Sequence, residues 1–186
     1  EGLDVTVDSF DTAAAASALD EAGVVDTDGD GVRELPDGTP CVLELYNCSQ
    51  YERFVNLADD LQSKLASVGI QLDITTVDYW LQDAETYNSA DPDMTIDSYG
   101  MAPTGDANYF ASMAFKTGGS ANFGNYSNET VDTLIDQLVT TFDQAERDEI
   151  AKQISQEVLN DNAYIFFGNS QTAYLASSNV QNIAVA

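Results

Sequence analysis

Phe54, Leu57, Leu61, Leu65 and Val68 recur at helical spacing, and they sit between two short apolar runs with strand patterning. The run before them is CVLELYNC; after them Ile70, Leu72 and Ile74 alternate with Gln71, Asp73 and Thr75. The spacing predicts a strand over 41–47, an amphipathic helix over 51–68 closed by Gly69, and a second strand from Ile70. Two strands joined through a helix of that length can lie parallel in one sheet, because parallel neighbours need a crossover of a dozen residues or more. Asp78 can cap a further helix through about Tyr87, and after Asp91-Pro92 the stretch 94–99 reads as a third strand. The order is β-α-β-α-β, which constrains the chain to an α/β layer.

The flanks add helices. DTAAAASALDEAG offers Asp11 as N-cap, an Ala-rich body and Gly23 as the stop. Residues 106–115 read as a helix followed by a Gly/Ser/Asn-rich loop. Another helix starts at Asn128, with Val131, Leu134, Ile135 and Leu138 on one face. The next starts at Asp143, where Glu146 completes a capping box. From Asn162 the tail NAYIFFGNSQTAYLASSNVQNIAVA returns to strand-like patterning. No repeat, low-complexity run or linker divides the 186 residues, so a single α/β domain over 1–186 is expected.

The charge excludes several functions. There are 32 acidic and six basic residues, a formal net charge of −26. Such a surface repels phosphate backbones, which argues against nucleic-acid binding, and it disfavours anionic membranes. No apolar stretch is long enough to span a bilayer, and EGLDVTVDSF has no signal-peptide pattern. The acidity reads as a solvated face that maintains solubility, as adaptation to high salt, or as attraction for cationic ligands. The chain has no histidine, which removes Ser/His/Asp and Cys/His nucleophilic sites and every His-ligated metal. A glycosidase would need two acids about 5 to 10 Å apart across a cleft. In so acidic a chain a pair such as Asp97 and Asp106 arises easily by chance, so no enzyme is expected.

The two cysteines, Cys41 and Cys48, lie in one strand-like run. Seven strand steps separate them by roughly 23 Å, whereas a disulfide needs Cα atoms within about 7 Å. Both are expected to be free and packed.

Several local signatures occur in one order: SALDEAG before DTDGDGVRE, then VGIQLDI, DANYFASMAF, NFGNYSNETVDTLIDQL and FDQAERDEIAKQISQEVLNDNAYIFFGN. The most specific is YSNETVDTLID, followed by the AER capping box and the long helix into NAYIFF. In this order they resemble the C-terminal region of the bacterial extracellular solute-binding proteins of family 5, which serve peptide and nickel ABC importers. The resemblance runs from about Thr12 to Ile183. Glu129 stands where the family usually has Pro, Ala163 near a common Pro, and Ala107 in place of the Pro after Asp106.

The resemblance implies a type II periplasmic-binding-protein-like lobe, with a mixed sheet flanked by helices. It implies that this is the C-terminal part of a longer two-lobed protein, whose N-terminal lobe and export signal are absent from the chain. The implied partners are a peptide or small-molecule solute, the missing lobe and the permease subunits of an ABC transporter. The implied location is extracellular or periplasmic, with the full-length protein anchored as a lipoprotein. The cargo could be an oligopeptide or a nickel chelate. The absence of histidine argues against direct metal ligation from this part and leaves open a chelated metal held through its organic carrier.

In an α/β lobe, ligands meet the carboxyl ends of the strands. That points to SYGMAPTGD, where Tyr99 and Met101 offer aromatic and apolar contact and Gly100 lets the backbone approach closely. Asp106 matches the family's aspartate before an aromatic helix, with Phe110 and Phe115 at the matching apolar positions. A buried ligand ammonium needs a charge-assisted acceptor, and Asp106 could supply it. It could equally cap the helix, and the two roles are compatible.

DTDGDGVRELPD places Asp26, Asp28 and Asp30 at alternate positions, then the backbone of Val32, with Asp37 twelfth. That is the spacing of an EF-hand calcium loop, with Asp in place of the bidentate Glu. No helix pattern follows, and Glu34 could be a ligand in a tighter arrangement. A structural calcium and a solvated Asp/Gly turn are both open readings; no cofactor is otherwise required. A calcium-dependent extracellular adhesion module is the alternative function, although dockerin-type modules would duplicate the loop.

Overall fold

The computed structural model describes residues 5–7, 9–78, 92–100, 105–168, 177 and 179. The expected helix from Asp78 to Tyr87 falls outside these residues beyond Asp78, as does nearly all of the tail after Gly168.

Helix α1 (Thr12–Glu21) starts where the Asp11 carboxylate accepts the backbone N–H groups of Ala13 and Ala14. It stops at Gly23, whose φ of 77° is a conformation that side chains disfavour. After an acidic loop come β1 (Val42–Cys48), α2 (Glu52–Ala66) and β2 (Gln71–Val77), close to the expected bounds. Gly69 turns the chain from α2 into β2 at φ 82°, and a Cβ there would lie 2.7 Å from Arg33 Cγ.

Strand β3 is Met94–Thr95 only, shorter than the expected 94–99. Beyond it the Asp97 carboxylate takes the Ser98 N–H at 2.6 Å. That local bond offers the backbone an alternative to the ladder. The described strands lie in the order β2-β1-β3, and both pairings are parallel. Among the described residues, antiparallel pairing occurs only as isolated bridges, Val25 with Glu34 and Glu34 with Pro40. As the central strand, β1 has four consecutive buried residues, Leu45 to Cys48, where a half-exposed strand would alternate. Cys41 and Cys48 are free, as their spacing predicts.

Phe54 and Ala58 of α2 pack on Leu45, Leu72 and Ile96, with Leu57, Leu61 and Leu65 alongside. This is the apolar stripe of the sequence laid on one face of the sheet. A second core lies elsewhere. Helices α3 (Ala107–Ala114), α4 (Glu129–Thr140) and α5 (Gln144–Asn160) bury Val131, Ile135 and Leu138 against Ile150, Ile154 and Val158. The main packing contacts between elements fall within one group or the other. Asn128 caps α4 through Thr130 and Val131, and Asp143 caps α5 through Glu146 N–H.

Residues 163–168 form no strand. Tyr164 instead donates its hydroxyl to Ala114 O at 2.5 Å and meets Phe115 edge to face. Tertiary packing of the aromatic rings overrides the strand-like pattern there.

Candidate ligand site and acidic loop

Because the strands are parallel, their carboxyl ends share one edge of the sheet. Ser49, just past β1, donates its N–H to Val77 O at 2.8 Å and its hydroxyl toward the Asp78 carboxylate at 3.3 Å. Tyr99 and Gly100 follow β3 in the chain, and Tyr99 is partly exposed. Met101 lies outside the described residues.

Asp106 has a different environment. It caps α3, accepting Asn108 N–H at 2.8 Å, and it accepts Arg147 Nη2 at 2.6 Å. Arg147 Nη1 donates to Leu138 O and Thr141 O at 2.7 and 2.8 Å. The pair therefore ties the start of α3 to the end of α4 and the first turn of α5. The capping role is observed, and a cation within the protein already meets the carboxylate. Phe110 and Phe115, at the apolar positions that follow Asp106, belong to the helical core: they meet edge to face at 5.2 Å, and Phe115 is buried.

Sequence reasoning missed Arg147 because its partner lies 41 positions away. A signal was present, since Arg147 is one of only six basic residues. Nor did the sequence reveal the open recess of about 480 Å³ beside Asp106, lined by Asn108, Tyr109, Ser112, Met113 and Ser120.

In the acidic loop the carboxylate oxygens of Asp26, Asp28, Asp30 and Glu34 lie within 4.8 Å of one another. Asp37 does not join them. It accepts the N–H and hydroxyl of Thr39 at 3.0 and 2.6 Å, and these bonds hold its carboxyl below the ordinary value. Glu34, the residue of the tighter alternative arrangement, joins the carboxylate cluster where the EF-hand spacing would put Asp37. The reason is the hairpin: pairing of Glu34 with Val25 folds it back over the loop, while Asp37 closes the next turn.

Glu34 is 9% exposed and accepts Thr27 N–H and Oγ1 at 2.7 and 2.6 Å. Asp26 accepts Gly29 and Gly31 N–H, Asp28 accepts Asp30 N–H, and Asp30 accepts Val32 N–H. An all-oxygen set with no sulfur or nitrogen donor suits a hard cation such as calcium. The same carboxylates also satisfy the loop's own backbone donors. Both readings of the loop therefore agree with its geometry.

Comparison with known proteins places this arrangement. A family model described as bacterial extracellular solute-binding proteins, family 5 Middle, matches residues 2–122. The nickel-binding protein NikA of Staphylococcus aureus is 35% identical over 151 residues, covering 78% of this chain and 29% of that protein. The oligopeptide-binding protein AppA from Bacillus subtilis, solved with a nonapeptide, superposes with a TM-score of 0.75 at 23% identity. That match covers 88% of this chain and 33% of AppA. Staphylococcus aureus NikA, solved with Ni(L-His)2, gives a TM-score of 0.62 at 28% identity over 86% of this chain and 31% of that one.

The chain thus spans about a third of the length of these relatives. Its fold is type II periplasmic-binding-protein-like. Among the described residues no helix is long and apolar enough to cross a membrane. The family match favours the binding-protein expectation over the adhesion module. This chain belongs to the bacterial extracellular solute-binding proteins of family 5.

Proposed function

We propose that the chain is one lobe of the substrate-binding component of an ABC importer. In this reading the longer protein captures an oligopeptide or a nickel chelate outside the cell and delivers it to the membrane permease. It is held at the outer face of the membrane by a lipid anchor, and it is not an enzyme. The observation that carries the reading is the family match over residues 2–122, which spans the whole parallel sheet and α3.

Tyr99, Gly100 and Met101 would contribute this lobe's half of the cleft, at the carboxyl edge of the sheet. Asp106 would act mainly through α3, since Arg147 already neutralises it. With no histidine in the chain, nickel would be recognised through its organic carrier. Burial between two lobes gives such proteins their affinity, so this lobe alone should bind weakly.

Isothermal titration of the full-length polypeptide tests the reading, with a mixed nonapeptide pool and with nickel–histidine as separate titrants. Saturable heat with one of them is expected, reduced at least tenfold in affinity by Tyr99→Ala. Heat with neither would refute the importer reading.

The proposal extends to a structural calcium ion held by Asp26, Asp28, Asp30 and Glu34. The observation that favours it is the convergence of those carboxylates within 4.8 Å. Close carboxylates repel one another, and a hard divalent cation would remove that repulsion.

A further inference from the structure

Three Asn-X-Ser/Thr triplets begin within the described residues: Asn47-Cys48-Ser49, Asn125-Tyr126-Ser127 and Asn128-Glu129-Thr130. In an exported protein such a triplet accepts an N-linked saccharide, provided that its middle residue is not Pro. The triplet alone is a weak signal, and the structure separates the three. Asn47 is fully buried, with Nδ2 donating to Phe54 O at 3.2 Å and Oδ1 accepting Cys48 N–H at 2.8 Å. Asn128 is committed to the start of α4: Oδ1 accepts the N–H groups of Thr130 and Val131, and Nδ2 donates to Asp161 at 2.7 Å. Asn125 differs from both. It is exposed, and its side chain makes no hydrogen bond among the described residues.

The turn around Asn125 is built from below. Asn122 is 7% exposed. Its Nδ2 donates to Lys116 O at 3.0 Å and Tyr126 O at 2.7 Å, and its Oδ1 accepts Tyr126 N–H at 2.8 Å. Asn125 N–H closes the turn on Asn122 O at 3.3 Å. One buried side chain thus fixes both ends, and Phe123, Gly124 and Asn125 form an exposed tip. Asn125 sits at φ 51°, a left-handed conformation that Asn tolerates better than most residues. A Cβ at Gly124 would meet no atom within 4 Å, so there is open space beside the acceptor. Ser127 is exposed too, and its hydroxyl oxygen accepts Thr117 Oγ1 at 3.1 Å, which leaves its own proton free to donate.

We propose that Asn125 carries an N-linked saccharide whose first sugar ring covers Phe123. The donor is a saccharide joined through phosphate to a membrane lipid. Asn125 Nδ2 bonds to the anomeric carbon, the bond from that carbon to the phosphate oxygen breaks, the phosphate leaves with the electron pair, and Nδ2 loses one proton. No bond within the protein has to break first. Phe123, two residues before the acceptor, is 44% exposed, and the C–H face of a sugar laid on it removes apolar surface from water. The proposal needs the chain to be exported, as its family is, and is independent of the solute it binds.

Electron-transfer fragmentation of glycopeptides tests it, on full-length protein released from the surface of the cells that make it. A hexose-containing mass on Asn125 in most molecules is expected. Asn125→Asp keeps a residue suited to the turn but lacks the nitrogen, and it should lose the mass, as should Ser127→Ala; Ser127→Thr should keep it. Glu129→Pro closes the neighbouring triplet at a first-turn position that accepts Pro and should leave the mass in place. A bare peptide over residues 123–128 would overturn the proposal. So would a mass that survives Asn125→Asp or disappears with Glu129→Pro. The contact with the ring has its own readout. Phe123→Ala should lower the thermal midpoint more in the glycosylated protein than in the Asn125→Asp background, and an equal drop in both would overturn that contact.

Discussion

Arg147→Ala should destabilise the helical half by about 3 kcal/mol, far more than its ion pair alone implies. The Arg147 side chain is 18% exposed and that of Asp106 42%. An ion pair with one half-exposed partner contributes under about 1 kcal/mol. The larger share comes from Nη1, which satisfies the carbonyls of Leu138 and Thr141 at the end of α4. Bonds from a charged donor contribute about 1.5 to 3 kcal/mol each. Water would reach part of the vacated site, so the two should sum to less than their separate values. Asp106→Asn keeps an acceptor for Asn108 N–H and for Arg147 and should cost under about 1 kcal/mol. Asp106→Ala also loses the cap and should cost about 1 to 2 kcal/mol. Arg147→Lys should fall close to Ala, because an ammonium cannot fork to three acceptors held by the planar guanidinium. Urea unfolding at fixed ionic strength, followed by helical circular dichroism, gives the order. If Asp106→Asn cost as much as Arg147→Ala, the carboxylate charge rather than the carbonyl clamp would be holding the helices.

Three further predictions concern charge, pH and metal. With 32 acidic and six basic residues, the thermal midpoint should rise from about 0.1 M to about 1 M potassium chloride, as the Debye length contracts from about 10 Å to about 3 Å; an unchanged or falling midpoint would mean that self-repulsion does not limit stability. Burial raises the Tyr164 hydroxyl above its ordinary value of 10.0. Burial raises Tyr126 as well, with its bond to Asp161 adding to the effect. A raised folded value means that their contribution is full below about pH 10 and lost as pH rises through the folded values; Tyr164→Phe should therefore flatten the alkaline limb of stability against pH, and an unchanged limb would remove Tyr164 from the account. Calcium at about 100 times its dissociation constant should stabilise the chain by about 2.7 kcal/mol. Glu34→Gln should abolish that gain and Asp37→Asn leave it; the reverse pattern would restore the EF-hand arrangement, and no gain in the parent chain would refute the ion.

What the sequence made legible is what repeats or caps locally. Phe54, Leu57, Leu61 and Leu65 announce α2 because one face of a helix must meet the sheet, and the structure lays that face on Leu45 and Leu72. Asp11, Asn128 and Asp143 fix helix starts because a short polar side chain reaches the free N–H groups two or three residues on. What stayed hidden depends on distant partners. Which of Glu34 and Asp37, both offered by the sequence, joins the acidic cluster depends on the pairing of Glu34 with Val25, which alternation does not encode. Strand β3 ends at Thr95, and the Asp97 carboxylate just beyond it takes the Ser98 N–H, a local bond that the apolar pattern does not show. Phe110 and Phe115 read in the sequence only as apolar positions, and the packing of α4 and α5 is what places them in the helical core. At the proposed cleft, the sequence indicated the carboxyl edge of the sheet through Tyr99 and Gly100. It did not indicate that Arg147 would already occupy Asp106.

Native mass spectrometry of the full-length polypeptide, purified without denaturation, tests the central claim most directly. A solute-binding protein should carry a reproducible extra mass that is lost on unfolding, and its fragmentation should identify either a peptide or a nickel chelate. A bare polypeptide mass, unchanged after incubation with peptide and nickel-chelate mixtures, would contradict the account.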